Sequence, residues 1–376
     1  MAIVSGQRLT SIWLAGACLA LSATQAICAE KWRVQYFYDK NHSSLAINDL
    51  VFPSPSHGMA VGHLDDDKGD SKPVSVITDD GGAHWTIKPL KQMPISLFFL
   101  DDSLGWMVTE KGIWRTEEGG RSWRELPKTP KLLIGVHFLD EKHGFAVGTH
   151  KSAFQTDDGG KTWEPIAAAE EPHTNPENTV YNNITFADAK SGFINGYSAP
   201  PRRDDQKPEW LDPEDETKRR ELPRMSIMLN THDGGNTWKP STVSMFGRIT
   251  RAMFLPNGTG LGLIEFTSTF KWPSEVHRLH SGTGGSEIVY NAKDRDITDV
   301  LLLPGAAYLA GVEVVGRLQH TPIPRKLKVL KSTDLSNWEE MDVDYHADGQ
   351  RAMLRAASDG TIWMATDTGM ILKLAE

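Results

Sequence analysis

Carboxylates recur along this chain at one offset from paired glycines, and that spacing is the first place to look for chemistry. Asp80, Asp158 and Asp233 each lie two residues after a threonine (Thr78, Thr156, Thr231). Gly82, Gly160 and Gly235 follow two residues later, and Trp85, Trp163 and Trp238 three residues after those. Thr116, Glu118, Gly120 and Trp123 form a fourth copy with the longer acid. Worn copies stand at Ser281-Gly282-Thr283-Gly284-Gly285-Ser286-Glu287 and at Ser332-Thr333-Asp334-Leu335-Ser336-Asn337-Trp338. An acid in such a place could act as a general base or a metal ligand, but four strong copies cannot all be active sites. A short carboxylate beside a hydroxyl and two glycines is instead suited to accept the backbone N–H groups of its own turn. These acids are expected to close turns, with each tryptophan opening the next strand and sealing the turn against a neighbouring unit.

Other chemistry-bearing clusters are weaker. Asp65-Asp66-Asp67-Lys68-Gly69-Asp70 has carboxylates without the EF-hand register, which reads as a solvated acidic loop. His277 and His280 fall on an expected strand, where residues three apart face opposite sides, so they do not share a zinc ion. Neither a metal nor another cofactor is expected. Both cysteines, Cys18 and Cys28, lie in the N-terminal stretch in which Arg8 precedes an apolar run from Ser11 to Ala23 and a small-residue site ending at Ala29. That stretch reads as a signal peptide over residues 1–29, cleaved on export to the periplasm or the extracellular medium, with no membrane insertion afterwards. The exported chain then has no thiol for a disulfide or a metal. The formal charge of −9 disfavours nucleic acid and anionic lipid, which call for basic surface.

The elements that must position these turns repeat. An apolar strand ends in Phe or Leu and is followed by a turn, a second strand, a variable loop, a third strand, the glycine-tryptophan turn and a fourth strand. First strands are read at Asp49–Phe52, Ser96–Phe99, Gly135–Phe138, Asn183–Phe186, Arg251–Phe254, Asp299–Leu302 and Arg351–Leu354. Second strands begin at or near Gly58, Gly105, Gly144, Gly192, Gly260, Ala307 and Gly360, and their small apolar residues suit burial on both faces. Seven units result. The turns at Thr78, Thr116 and Thr156 are 38 and then 40 residues apart, whereas 75 separate Thr156 from Thr231 with one strand pair between. The excess is a surface insertion at about 198–224, rich in proline and mixed charge, with a short helix expected near its acidic-then-basic run at 212–220.

The recurring turn resembles the Asp-box of BNR repeats, Ser/Thr-x-Asp-x-Gly-x-Thr-Trp. The composite phrase Val136-His137-Phe138-Leu139-Asp140, Gly144-Phe145-Ala146-Val147-Gly148 and Phe154 to Trp163 is similar to the Ycf48/HCF136-like group of BNR propellers. The resemblance implies an all-β, seven-bladed β-propeller of four-stranded antiparallel blades over residues 30–376, with each box between the third and fourth strands. The last unit ends with a third strand at Ile371–Leu374, so the strand from Trp32 to Phe37 is expected to supply its fourth and close the ring. Loops joining second to third strands then lie opposite the boxes. The long segments 63–72, 198–224, 265–275 and 312–325 all fall there, which makes that face the expected working face.

Candidate partner contacts on this face are Arg202, Arg203 and Trp210 in the insertion, Phe270 and Trp272, Arg317 and His320. Arg251 and Arg351 begin first strands, as do Asp49, Asn183 and Asp299, and are expected to gather near the axis, where they bind a ligand or hydrate a channel. The best-known members of the resembling group are non-enzymatic assembly factors for photosystem II. The implied role is an exported, monomeric scaffold that binds a protein, one maturing at or in a membrane or envelope. The alternative is a glycoside hydrolase. The sialidase pattern is missing, since Trp32-Arg33-Val34-Gln35 lacks the Arg-Ile-Pro motif, but a paired-carboxylate enzyme stays open.

Overall fold

Seven antiparallel sheets form, one for each repeat, in a computed structural model that describes residues 30–40, 42–199, 223–266, 272–281, 285–313, 326–344 and 346–375. Each is a meander. Blade one runs Ser43–Val51, Gly58–Asp66, Ser71–Thr78 and Thr86–Pro89, and five further blades repeat that order. Blade seven runs Ala352–Ala356, Ile362–Thr366 and Met370–Ala375, and its fourth strand is Lys31–Phe37 from the other end of the chain. Trp32 pairs antiparallel with Leu374 and Phe37 with Met370, so the ring is closed by its N-terminal strand. Asp342–Val343 adds a short parallel fifth strand outside it.

The blades hold together through one recurring contact. The second strands are buried along nearly their whole length because a blade covers each face; Gly105–Thr109, Gly144–Gly148 and Ile362–Thr366 are buried at every residue. A bulky residue near the start of the second strand meets a residue at or just past the end of the first strand of the next blade. Trp106 stacks on Phe138 at 3.6 Å, Phe193 on Phe254 at 3.9 Å and Trp363 on Phe52 at 4.0 Å. Such pairs contribute about 0.5–1.5 kcal/mol each beyond the area they bury. Glycine opens the second strand because the same ring lies over it: a Cβ on Gly144 would sit 2.4 Å from Phe138.

Three local expectations need correction. Residues 63–72 are mostly strand, since the hairpin joining the second and third strands of blade one pairs Asp65 with Ser71 and leaves only a tight turn after Asp66, whose carboxylate accepts the N–H groups of Lys68 and Asp70. In blade seven the strands lie later than the glycine pattern implied: Gly360 is a turn residue at φ 87°, the second strand begins at Ile362, and the first strand ends at Ala356 instead of Leu354. The third concerns Ser281–Glu287. Its strand already begins at Ser286, paired with Leu279, so the turn is too short to be a box and holds no tryptophan. The insertion and its expected helix lie outside the described residues, as does the signal segment.

Candidate functional site

The boxes come first because their acids are the most numerous candidates. Thr156 donates its hydroxyl to Asp158 at 2.9 Å and accepts the Gly160 N–H. Asp158 accepts the Thr162 hydroxyl and the N–H groups of Lys161 and Thr162, and these bonds, led by that hydroxyl, hold its carboxyl down at about 2. Asp233 repeats the set with Thr231 and Thr237, and Asp80 does so with Thr78 and His84. Glu118 is one carbon longer and reaches the Ser122 hydroxyl at 2.6 Å. Asp334 accepts from Ser336 and Asn337, with Leu335 at φ 62° where a glycine stands in the full boxes. The first box glycine donates to the first-to-second-strand turn of its own blade, as Gly81 does to Ser56 at 2.8 Å. Second glycines press on the preceding blade; a Cβ on Gly82 would meet Trp363 at 2.5 Å. All this chemistry is architectural, at the end of the ring away from the second-to-third-strand connections.

The axial channel is a cavity of about 430 Å³ with two unlike halves. Blades two to four line it with Ser96, Phe98, His137, Asn183 and Thr185. His137 lies between Phe98 and Phe186, and burial pulls its imidazole down to about 4, so it is neutral at physiological pH. The other half is ionic. Arg355 donates to Asp49 at 2.6 Å and to Asp299 at 3.2 Å, and Arg251 stands 3.4 Å from Asp299. Burial works against the Arg355 charge, but the two carboxylates outweigh it and hold its pKa above the usual value. Desolvation dominates at Arg251 and lowers it.

These axial residues also clasp adjacent blades. Asp49 accepts the Leu97 N–H of blade two at 2.8 Å, and Asp299 accepts the Leu354 N–H of blade seven at 2.9 Å. Asn183 donates to the Ala252 carbonyl and Asn182 to that of Ile249, joining blades four and five. A side chain at one position of the innermost strand thus replaces the backbone ladder that neighbouring blades cannot form.

At the long-loop mouth, Arg248 and Arg351 flank Glu265 at 3.0 and 3.4 Å. Asp296 lies in the same neighbourhood, and burial followed by the charge of Glu265 pushes its carboxyl up to about 6. The native state therefore binds that proton more tightly than the unfolded chain does, and stability falls as pH rises from about 4 to about 6. Asp296→Asn is expected to leave stability unchanged at pH 4 and to raise it by about 1–2 kcal/mol at pH 7.5. Urea melts at the two pH values check this; an equal effect at both contradicts it.

Of the proposed partner contacts, Arg202, Arg203, Trp210, Phe270, Arg317 and His320 lie outside the described residues. Trp272 precedes the third strand of blade five and donates its indole N–H to Glu275. Arg351 is half-exposed at the mouth, and Arg251 lies deeper, in the channel, so the two are not side by side. Sequence reasoning missed Arg355, Glu265, Arg248 and Asp296. Arg355 was recoverable in principle, since it is a lone arginine within the apolar strand Ala352–Ala356. Among the described residues, no group of three or more His, Cys, Asp or Glu side chains is placed to hold a metal.

Comparison with known proteins agrees with this geometry. A family model described as photosynthesis system II assembly factor YCF48 matches residues 125–200. No curated protein sequence matches the chain. A structure described as YCF48 bound to D1 peptide superposes with a TM-score of 0.58 at 17% identity, over 90% of this chain and 98% of that one. YCF48 from Cyanidioschyzon merolae gives 0.59 at 16%, over 91% and 98%. The GH74 xyloglucanase from Xanthomonas campestris gives 0.59 at 12%, over 91% of this chain and 53% of its own. At such identities a structural likeness speaks of fold. The class defined is the seven-bladed BNR-repeat β-propeller. Within it, residues 125–200, inside blades two to four, match the YCF48 family model, and the chain is similar in fold to the YCF48 structures over nearly their whole length.

Proposed function

We propose that the chain is an exported, monomeric, non-enzymatic scaffold that captures a segment of a protein partner on the long-loop face and assists assembly or maturation of a membrane or envelope complex. The observation that carries the reading is the one-sidedness of the ring. The connections that leave at Ser198, Glu265 and Glu313 all lie at that end, beside the Arg248–Glu265–Arg351 mouth, whereas the opposite end is a set of self-satisfied turns. Rigid rings commonly place recognition on such loops. The similar YCF48 structure with a peptide supports a protein ligand, and the segment 1–29 supports export. Arg202, Arg203, Trp210, Phe270, Trp272, Arg317, His320, Arg251 and Arg351 are the proposed contacts, arginine and aromatic side chains being favoured anchors.

Replacing residues 199–223 by a short Gly-Ser bridge tests this. The ring is expected to keep its melting transition while crosslinking pull-down from the native envelope loses its partner; unchanged partners would refute the proposal. Glycoside hydrolysis is the second reading, and one observation favours it: Asp296 and Glu265 form a carboxylate pair in which the first is raised to the range of a general acid. Against it, Asp49 and Asp299 are both committed to Arg355 and to backbone N–H groups. Turnover of aryl glycosides or sialosides that disappears in Asp296→Asn would establish it, and a flat panel would remove it.

A further inference from the structure

The contact between successive blades is completed by a third side chain, an indole. In blade one Trp85 stands edge-on to both Phe52 and Trp363, each at 6.2 Å. Trp123 meets Phe99 at 6.1 Å, Trp163 meets Phe138 at 6.2 Å, and Trp238 meets Phe145 and Phe186 at 5.6 and 6.0 Å. Trp338 packs in the cluster of Leu261 and Leu302. At the closure, where no box exists, Trp32 of the N-terminal strand is fully buried in the cluster of Tyr308 and Leu354. Six of the seven blade junctions are therefore sealed by tryptophan.

The seventh junction lies between blades four and five. Its pair is present, Phe193 on Phe254, but the turn that would bring an indole is the shortened one after Ser281. A groove of about 370 Å³ opens there, lined mainly by apolar surface and including both phenylalanines. That volume is within the range of small-ligand sites. Asn230 and His277 are among its lining residues, and Asn230 Oδ1 and His277 Nδ1 are buried with no hydrogen-bond partner among the described residues. An acceptor in that place suits an indole N–H, which in blades one and three is given to the carbonyls of Gly82 and Gly160.

We infer that this groove is a binding site for an indole, contributed as the tryptophan side chain of an extended segment of a partner protein. One wall is the fourth strand of blade four, Lys239–Met245, an outermost strand of seven residues where the equivalent strands of blades two, three and six have two. Among the described residues its outer edge has no strand beside it, and Val243, on the groove wall, is 58% exposed. Such an edge accepts an added strand through backbone hydrogen bonds while a pocket takes one side chain. The site is separate from the long-loop face and stands or falls independently of it.

Ligand-observed NMR titration of the full chain tests the inference with N-acetyl-tryptophanamide, free indole, N-acetyl-leucinamide and a blocked tryptophan-centred pentapeptide. The tryptophan amide is expected to saturate at about 0.1–1 mM, as its size allows. The leucine amide should bind at least tenfold more weakly, and the pentapeptide tighter than the tryptophan amide. Met228→Trp, which places an indole of the chain's own on the groove wall, should abolish binding, and Asn230→Leu should weaken it about fivefold. No saturation, equal affinity for the leucine amide, or binding that survives a folded Met228→Trp overturns the site. Free indole binding with no gain for the pentapeptide overturns the protein source.

Discussion

Trp32→Ala is expected to destabilise the protein by about 3–5 kcal/mol, among the larger single-residue effects the ring can show. The side chain is fully buried among Tyr308, Leu354, Met364 and Leu372, drawn from blades six and seven, so its loss opens a cavity at the one junction that the chain's two ends must make. The rest of this strand pairs with Met370–Ala375 and adds only partly buried side chains, Val34 in the same cluster and Tyr36 against Trp85. A loosened closing strand leaves blade seven with a bare edge, and an unpaired edge in a sheet-rich protein promotes association. Arg33→Ala, on the exposed face of the same strand, should change stability by less than about 0.5 kcal/mol. Guanidinium melts of the two variants, with light scattering as a second readout, decide the matter. A Trp32→Ala cost below about 1 kcal/mol would show that closure does not depend on this side chain.

Arg355→Met should cost a similar amount, about 3–5 kcal/mol at pH 7.5, for an electrostatic reason. Arg355 is the shared cation of Asp49 and Asp299, and both carboxylates are buried. Methionine keeps much of the packing but leaves Asp49 with no salt bridge among the described residues and Asp299 with Arg251 at 3.4 Å. Two buried carboxylates without their shared cation cost most when both carry charge, and acid relieves that cost. The penalty should therefore be smaller at pH 4.5 than at pH 7.5. Adding Asp49→Asn to Arg355→Met should recover a large part of it, because the amide still accepts the Leu97 N–H without carrying charge. A penalty that is independent of pH, or no recovery in the double variant, would show that the arginine acts by packing.

Much of this molecule is legible without coordinates because its information is local and repeated. Thr-x-Asp-x-Gly with a following tryptophan specifies a turn through bonds that span no more than four residues, and each copy says the same thing. The missing fourth strand at the C-terminus and the orphan strand at Trp32 are complementary, so the closure at Trp32 and Leu374 could be inferred from counting units. The same reliance on pattern is why blade seven was misaligned. Gly360 looks like the glycine that opens second strands, but it serves a tight turn at positive φ, and the strand begins at Ile362. The copy at Ser281 misled for the related reason that composition does not reveal where strand pairing starts.

The sequence by itself determined the repeat, its count, the turn chemistry and the way the two ends meet, since these follow from contacts between residues near one another or from an unmatched strand. Tertiary structure alone decided which inner-strand side chains face each other across the axis. It brought Arg355 to Asp49 over 306 positions and Glu265 to Arg351 over 86, and it opened an indole-sized groove where one turn is short. Closing a ring turns small differences in strand register into contacts between distant blades, and nothing within a single blade records which neighbour it will meet.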